Sequence, residues 1–269
     1  MRGSSRAAVI EGRPAFESAL TSGDPAVVAD ELFAVVGLLD DNPTLRRGVA
    51  DPSREGTDKS GLVTQLLAGK ISEDTIGAVA SLAAQRWASE RDLTDTLERF
   101  AVEATLKGAE DNRAIDQVED ELFRFERVVA GNPELRDALG NRQGDRAGKA
   151  ELVSTLLADK VRPETLRLAR QAVLAPRGRR FARVVEEYLE IAAERRQQYT
   201  AVVMTAVDLT DAQRTRLSDA LQQIYGKAVQ LHVVHDEDVI GGIRVQIGDE
   251  VVDGTVLHRL HEAQRHLAG

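Results

Sequence analysis

DVIGGIRVQIGDEVVDGTVLHRL, residues 238–260, gives three kinds of local instruction in succession. Ile243, Val245 and Ile247 alternate with Arg244 and Gln246, so one face of a strand can be buried while the other meets water. Burial of such side chains contributes about 1.5–3 kcal/mol each. Gly248-Asp249 supplies the positive φ of a tight hairpin, Val251-Val252 is the short returning strand, and Asp253-Gly254 breaks it. From Thr255 the apolar period lengthens to that of a helix, with Val256, Leu260, Ala263 and Leu267 on one stripe. Gly241-Gly242 precedes the strand, where paired glycines imply a bulge, a φ above zero or a close backbone approach. On physical grounds alone that pair is a bend that lets the strand pack.

Working back toward the start, YTAVVMTAV at 199–207 is too short and too β-branched for a good helix and reads as a strand. Thr210-Asp211-Ala212-Gln213 is a capping box, and the helix it opens carries Leu217, Leu221 and Ile224 on one face and ends at Gly226. Val229, Leu231 and Val233 alternate as a further strand. The sum is strand, helix, strand, hairpin, helix: a small α+β domain with one helix face on its sheet.

Read as a whole string, an apolar pair, two glycines, an alternating strand, Gly-Asp, two valines, Asp-Gly and a final helix resemble the C-terminal motif of the delta subunit of F-type ATP synthases, relatives of the mitochondrial oligomycin-sensitivity-conferring protein. On that resemblance Ile240, Gly241, Gly242, Ile243, Val245, Ile247, Gly248, Asp253 and Gly254 are the motif residues, on the side of the C-terminal domain that meets the b subunit.

Upstream the chain reads as helices. Asp24-Pro25 sets a capping carboxylate before a proline at the first helical position, followed by Val28, Leu32, Val35 or Val36, and Leu39 at helical spacing. Asn42-Pro43 starts the next helix, and a polar loop at 51–60 leads to the stripe Leu62, Val63, Leu66, Leu67. Ser72 caps a helix with Ile76, Val79, Ala80, Ala83 and Trp87 inward, and Leu93, Leu97 and Phe100 make another. Five short antiparallel helices are the simplest account.

A shift of ninety positions repeats this pattern. Asp30-Glu31-Leu32-Phe33 becomes Asp120-Glu121-Leu122-Phe123, Asn42-Pro43 becomes Asn132-Pro133, and Lys59, Lys70 and Thr75 become Lys149, Lys160 and Thr165. About a third of positions are identical over this stretch without a gap, as expected of a duplicated unit. Past Thr165 the copies slip by a residue or two, with Leu93, Leu97 and Phe100 answering Phe181, Val185 and Tyr188. The expected domains are 1–107 and 108–198, two copies of an antiparallel helical bundle motif, and 199–269, the α+β domain. The fold is therefore mainly α, and the resemblance is closest to the enlarged delta subunits of actinobacterial type. The delta-family bundle has six helices, whereas the repeat has room for five. The stretch from Asp92 to Lys107 is accordingly expected to close the first bundle and open the second.

Composition narrows the function classes. Among 269 residues there is no cysteine, so neither a disulfide framework nor a thiolate metal site can form. The net charge of −9, with both signs mixed, argues against a nucleic-acid binder. No apolar run approaches the ~20 residues that span a bilayer, and the start lacks a signal-peptide core. Membrane association then falls to other subunits.

Candidate chemistry gives way to plainer readings. His258 and His261 lack further ligands at a metal-binding spacing. Residues 56–61, GTDKSG, have the types but not the order of a phosphate loop, and the acidic run 236–238 meets Ile240 where a calcium loop needs oxygen. PRGRRFAR at 176–183 reads as a solvated turn and helix start, with a docking patch for an acidic partner as the functional reading. No catalytic residue, cofactor site or small-molecule substrate is expected.

The resemblance implies a non-catalytic peripheral-stalk subunit at the cytoplasmic face of the plasma membrane. Its helical bundle would bind the N-termini of the alpha subunits, as an amphipathic helix in a groove drawn from Val35, Val36, Val128 and Val129, and its C-terminal domain would bind the b subunit. Two bundle copies suggest a bivalent grip, each engaging a different partner segment. The alternative is a soluble helical adaptor unrelated to ATP synthase.

Overall fold

The computed structural model describes residues 3–253 apart from 142, 198–199, 208, 226–228, 237–238, 240 and 248–249. The expected final helix with His258 and His261 lies outside the described residues, as do Ile240, Gly248 and Gly254. Contacts divide the chain into two units, Met1–Ala192 and Ala193–Gly269.

The first unit is helical. It opens with α1 (Gly3–Ser22), followed by α2 (Pro25–Asp41), α3 (Pro43–Ala50), α4 (Gly56–Leu67), α5 (Glu73–Ala84) and α6 (Glu90–Asp111). Then come α7 (Ile115–Gly131), α8 (Pro133–Gly140), α9 (Arg146–Leu157), α10 (Pro163–Leu174) and α11 (Phe181–Gln197). The start signals act as expected at α2, where Asp24 accepts from the Ala26 amide at 2.8 Å, and at α5, where the Ser72 hydroxyl accepts from Thr75. Asn42 departs from expectation: its amide reaches back to the Leu38 carbonyl, whereas its counterpart Asn132 does cap α8 through the Leu135 amide.

Two further expectations need correcting. Residues 3–22, outside the five helices expected of the first copy, form α1. That helix packs on α5 through small residues, including Gly12, where an added Cβ would overlap the Leu82 side chain. The polar loop expected at 51–60 is shorter, because α4 already begins at Gly56 and carries Lys59 into the interior.

Helices α2 to α5 begin at 25, 43, 56 and 73, and α7 to α10 at 115, 133, 146 and 163, each ninety residues later and with matching lengths of 17, 8, 12 and 12. The bonds match too. Glu31 on α2 accepts from the Ser72 amide and hydroxyl at the start of α5, and Glu121 on α7 accepts from the Arg162 amide and the Thr165 hydroxyl at the start of α10. A carboxylate at a helix N-terminus satisfies otherwise orphaned donors and meets the positive end of the dipole.

The centre of this unit is α6. Leu93, Leu97, Phe100, Val102, Ala104 and Leu106 are all buried, along with Thr94, Thr96, Glu98, Glu103 and Thr105, so from Phe100 to Leu106 the helix is enclosed around its circumference. It packs against α1, α2, α3 and α5, and also against α7 and α10. One apolar cluster runs from Ala8 to Ala192.

The second unit contains β1 (Thr200–Thr205), α12 (Asp211–Tyr225), β2 (Gln230–His235), β3 (Arg244–Ile247) and β4 (Glu250–Asp253) in a sheet of order β2-β1-β3-β4. β1 is parallel to β2 and antiparallel to β3, which pairs antiparallel with β4. The capping box forms as expected, with Gln213 and Thr210 exchanging amide bonds at 2.9 and 3.3 Å. Ala201 and Val203 on β1 face Ile247 and Val245 on β3, and with Leu221 they make the core under α12. Ile224 shares the stripe of Leu217 and Leu221 yet is exposed near the helix end.

Candidate docking sites

Enclosed apolar side chains hold the helical unit together, so a docking site must be sought where such side chains stay uncovered. A groove of about 440 Å³ opens between α7, α8 and α9, floored by Phe125, Val128, Leu135, Leu156, Leu157 and Val161. Gln117, Asp120, Glu121, Arg124 and Lys160 edge it. Val128, one of the residues lining it, is 58% exposed.

Of the four valines named from sequence, Val35, Val36 and Val129 are buried and only Val128 lies uncovered. On α7 the reason is geometric: consecutive residues stand about 100° apart on a helix, so the core takes Val129 and leaves Val128. On α2 it claims both. The positions of Ala29 and Val36, buried there, are taken on α7 by Glu119 and Glu126, ninety residues on. Phe33 is accordingly 9% exposed and its counterpart Phe123 54%.

The groove's edge charges are already occupied. Arg124 pairs with Asp120 one turn earlier, Glu121 is bound to the start of α10, and Lys160 donates to the Leu156 carbonyl at 2.9 Å. An entering ligand therefore meets a mainly apolar floor with a polar margin, which fits one face of an amphipathic helix.

The basic cluster at 176–183 divides by direction. Arg177 and Arg179 turn inward onto Glu98 of α6, with Arg179 Nη2 at 2.8 Å from Oε2. Tyr188 donates its hydroxyl to the same carboxylate at 3.1 Å, and Arg177 also lies 3.3 Å from Asp95 and 3.5 Å from Asp40. Burial pushes the Tyr188 phenol above its ordinary value. Arg180 and Arg183 are exposed, Arg183 beside Glu186, Glu187 and Glu190. These inward arginines are fold determinants, not a docking patch; their acidic partners lie about eighty residues earlier in the chain.

In the second unit the expected motif residues Val245 and Ile247 are buried and Ile243 is partly so. Gly241 has φ +63° and Gly242 φ +125°, the positive values expected for the pair. The second lies where side chains are rarely accommodated. Val202, Met204, Val234 and Val251 fall on the sheet face away from the core, and Val251 is exposed. Asp253 ends β4. Among the described residues there is no cluster of potential metal ligands and no helix long and apolar enough to cross a membrane.

Comparison with known proteins gives a consistent result. The family described as ATP synthase delta (OSCP) subunit matches residues 98–267. The chain is 46% identical over 246 residues to ATP synthase subunit delta of Kineococcus radiotolerans, covering 91% of this chain and 89% of that protein. It is 42% identical to ATP synthase subunit delta of Thermobifida fusca over 269 residues, 100% of both chains. The corresponding protein of Streptomyces griseus is 41% identical over 271 residues, again across 100% of both.

Proposed function

Because the chain belongs to the ATP synthase delta (OSCP) subunit family, we propose that its helical unit grips the catalytic head and its sheet-bearing unit the b subunit. The protein is a non-catalytic connector of the peripheral stalk, which keeps the head from turning with the central shaft. An adaptor unrelated to ATP synthase is set aside by the family match.

The helical unit is a duplication with a shared element. α6 closes a first bundle made with α1 to α5 and opens a second made with α7 to α11. Its burial on all sides from Phe100 to Leu106 supports this, as does the family match, which begins inside α6 at residue 98. Residues 1–107 and 108–198 then serve as the two copies and 199–269 as the C-terminal domain. The second copy corresponds to the bundle of ordinary family members.

The observation that carries the docking reading is the open groove of the second copy, exposing Val128 between α7, α8 and α9. It receives an amphipathic N-terminal segment of an alpha subunit. The motif from Ile240 to Gly254 and the neighbouring sheet face hold the b subunit, and the protein works at the cytoplasmic face of the plasma membrane through those partners. Titration of the full chain with a synthetic peptide of the alpha subunit's N-terminal segment tests the groove. Val128→Asp should weaken binding at least tenfold with an unchanged melting temperature, and undiminished binding overturns the assignment.

A further inference from the structure

The two bundle copies differ at one short helix. In the first, Arg46 on α3 is buried and held from several directions. Nη1 donates to the Leu39 carbonyl at 3.2 Å, while Nη2 and Nε lie 3.2 and 3.4 Å from Glu90 Oε1. The Asp40 carboxylate stands 4.0 Å away. Leu39 and Asp40 belong to the last turn of α2 and Glu90 begins α6, so one guanidinium ties α3 to both. α3 is bedded against α2, α4 and α6.

Ninety residues on, Arg136 of α8 has no such carboxylates. Ala130 stands where Asp40 would, and the stretch answering Glu90, residues 178–180, reads Gly-Arg-Arg. Arg136 is exposed, donating to the Ala130 carbonyl at 3.3 Å with Asp137 at 4.0 Å. The enclosed space follows the same division. Around Phe125, Val128, Leu156 and Leu157 an open groove of about 440 Å³ remains, whereas around their counterparts Val35, Leu38, Leu66 and Leu67 the space is about 10 Å³; the first copy's larger hollow, about 520 Å³, lies against α3 between Asp41, Leu45, Arg54 and Leu62 and has a more polar lining.

We infer that Arg46, Asp40 and Glu90 form a clasp that shuts the first copy's groove, so that each chain takes one amphipathic helix, in the second copy only. The three are specificity-determining residues that act through the position of α3 and touch no partner. The inference rests on the duplication and helix-docking readings. It replaces a bivalent grip with a single one: α2 of the first copy is engaged by the second through the Asp30–Arg167 and Asp40–Arg177 pairs, and the charges that would let α8 close are missing.

The test uses the full chain and the alpha-subunit N-terminal peptide, with stoichiometry from isothermal titration and amide exchange of α3 and α8 by mass spectrometry. Wild type should bind one peptide, and α3 amides should exchange at least tenfold more slowly than those of α8. Arg46→Met should raise the stoichiometry to two, with the added site removed by Leu38→Asp. Should Arg46→Met fail to fold, rebuilding the clasp on α8 with Ala130→Asp and Arg180→Glu provides the converse: binding at least tenfold weaker and slower α8 exchange. Two peptides on wild type, one on a folded Arg46→Met chain, or undiminished binding to the rebuilt chain overturns the clasp. Absence of binding to wild type counts against helix docking instead, and the exchange comparison then decides: faster exchange at α8 upholds the clasp and equal exchange overturns it.

Discussion

Replacing Glu98 by alanine removes the acceptor around which the segment between α10 and α11 is anchored. Its carboxylate is buried and receives Arg177, Arg179 and the Tyr188 hydroxyl, so its loss leaves a nearly buried guanidinium and a buried phenol short of a partner. Breaking a buried pair from one side costs about 3–5 kcal/mol, and the orphaned hydroxyl adds about 1 kcal/mol. Asp40 and Asp95 still face Arg177 and Glu187 still faces Arg179, which places the expected loss near the lower end, about 4 kcal/mol. In a unit of this size each kcal/mol moves the melting temperature by about 2–4 °C, giving a fall of about 8–16 °C. Thermal melting followed by far-ultraviolet circular dichroism reads it. Glu98→Gln keeps the shape and an acceptor for Tyr188 but not the charge, and should fall between alanine and wild type. Arg183→Ala, which removes only exposed, solvent-screened pairs from the same basic cluster, should melt close to wild type. If Glu98→Ala melts within about 2 °C of wild type, or no lower than Arg183→Ala, the inward arginines are not an anchor and the argument fails.

Gly12→Ala should cost about 1–3 kcal/mol, because the added methyl must displace Leu82 at the α1–α5 contact; equal denaturant midpoints would refute that packing. Gly242→Val should destabilise the second unit by about 1–3 kcal/mol through its φ of +125° and weaken capture of the b subunit. Gly241→Asn, at φ +63°, should be tolerated, so equal effects from the two would remove the conformational explanation. Lys59 gives a pH signature. Burial lowers its pKa below the ordinary 10.5, so between the lowered value and 10.5 the unfolded chain holds the extra proton and stability rises with pH. The stability of wild type relative to Lys59→Met should therefore climb across that window and level off above 10.5; a constant difference in urea melts would contradict it.

Much of the architecture was legible because it depends on neighbours in sequence. Asp24-Pro25, Ser72 and the capping box at Thr210 mark helix starts through bonds that span two or three residues. The alternation of Val245 and Ile247 fixes a buried strand face, and Gly241-Gly242 announces positive φ because nothing else in the alphabet adopts it so cheaply. α1 escaped notice for a related reason: its buried face includes Ser5, Ala8, Gly12 and Ala19, small residues whose weak apolarity leaves little periodic signal. Such a helix is recognised by what packs on it.

The amino-acid order by itself determined the family, the ninety-residue recurrence, the helical character and the sheet-bearing end, since propensity, capping and periodicity are local and the recurrence is a comparison of letters. Only the tertiary structure decided which way charges and valines face. Arg177 points inward because Glu98 waits on a helix distant in sequence, and of the adjacent valines on α7 the packed core takes Val129 and leaves Val128 open. Both outcomes depend on pairs separated by tens of residues, whose meeting is settled by how helices pack.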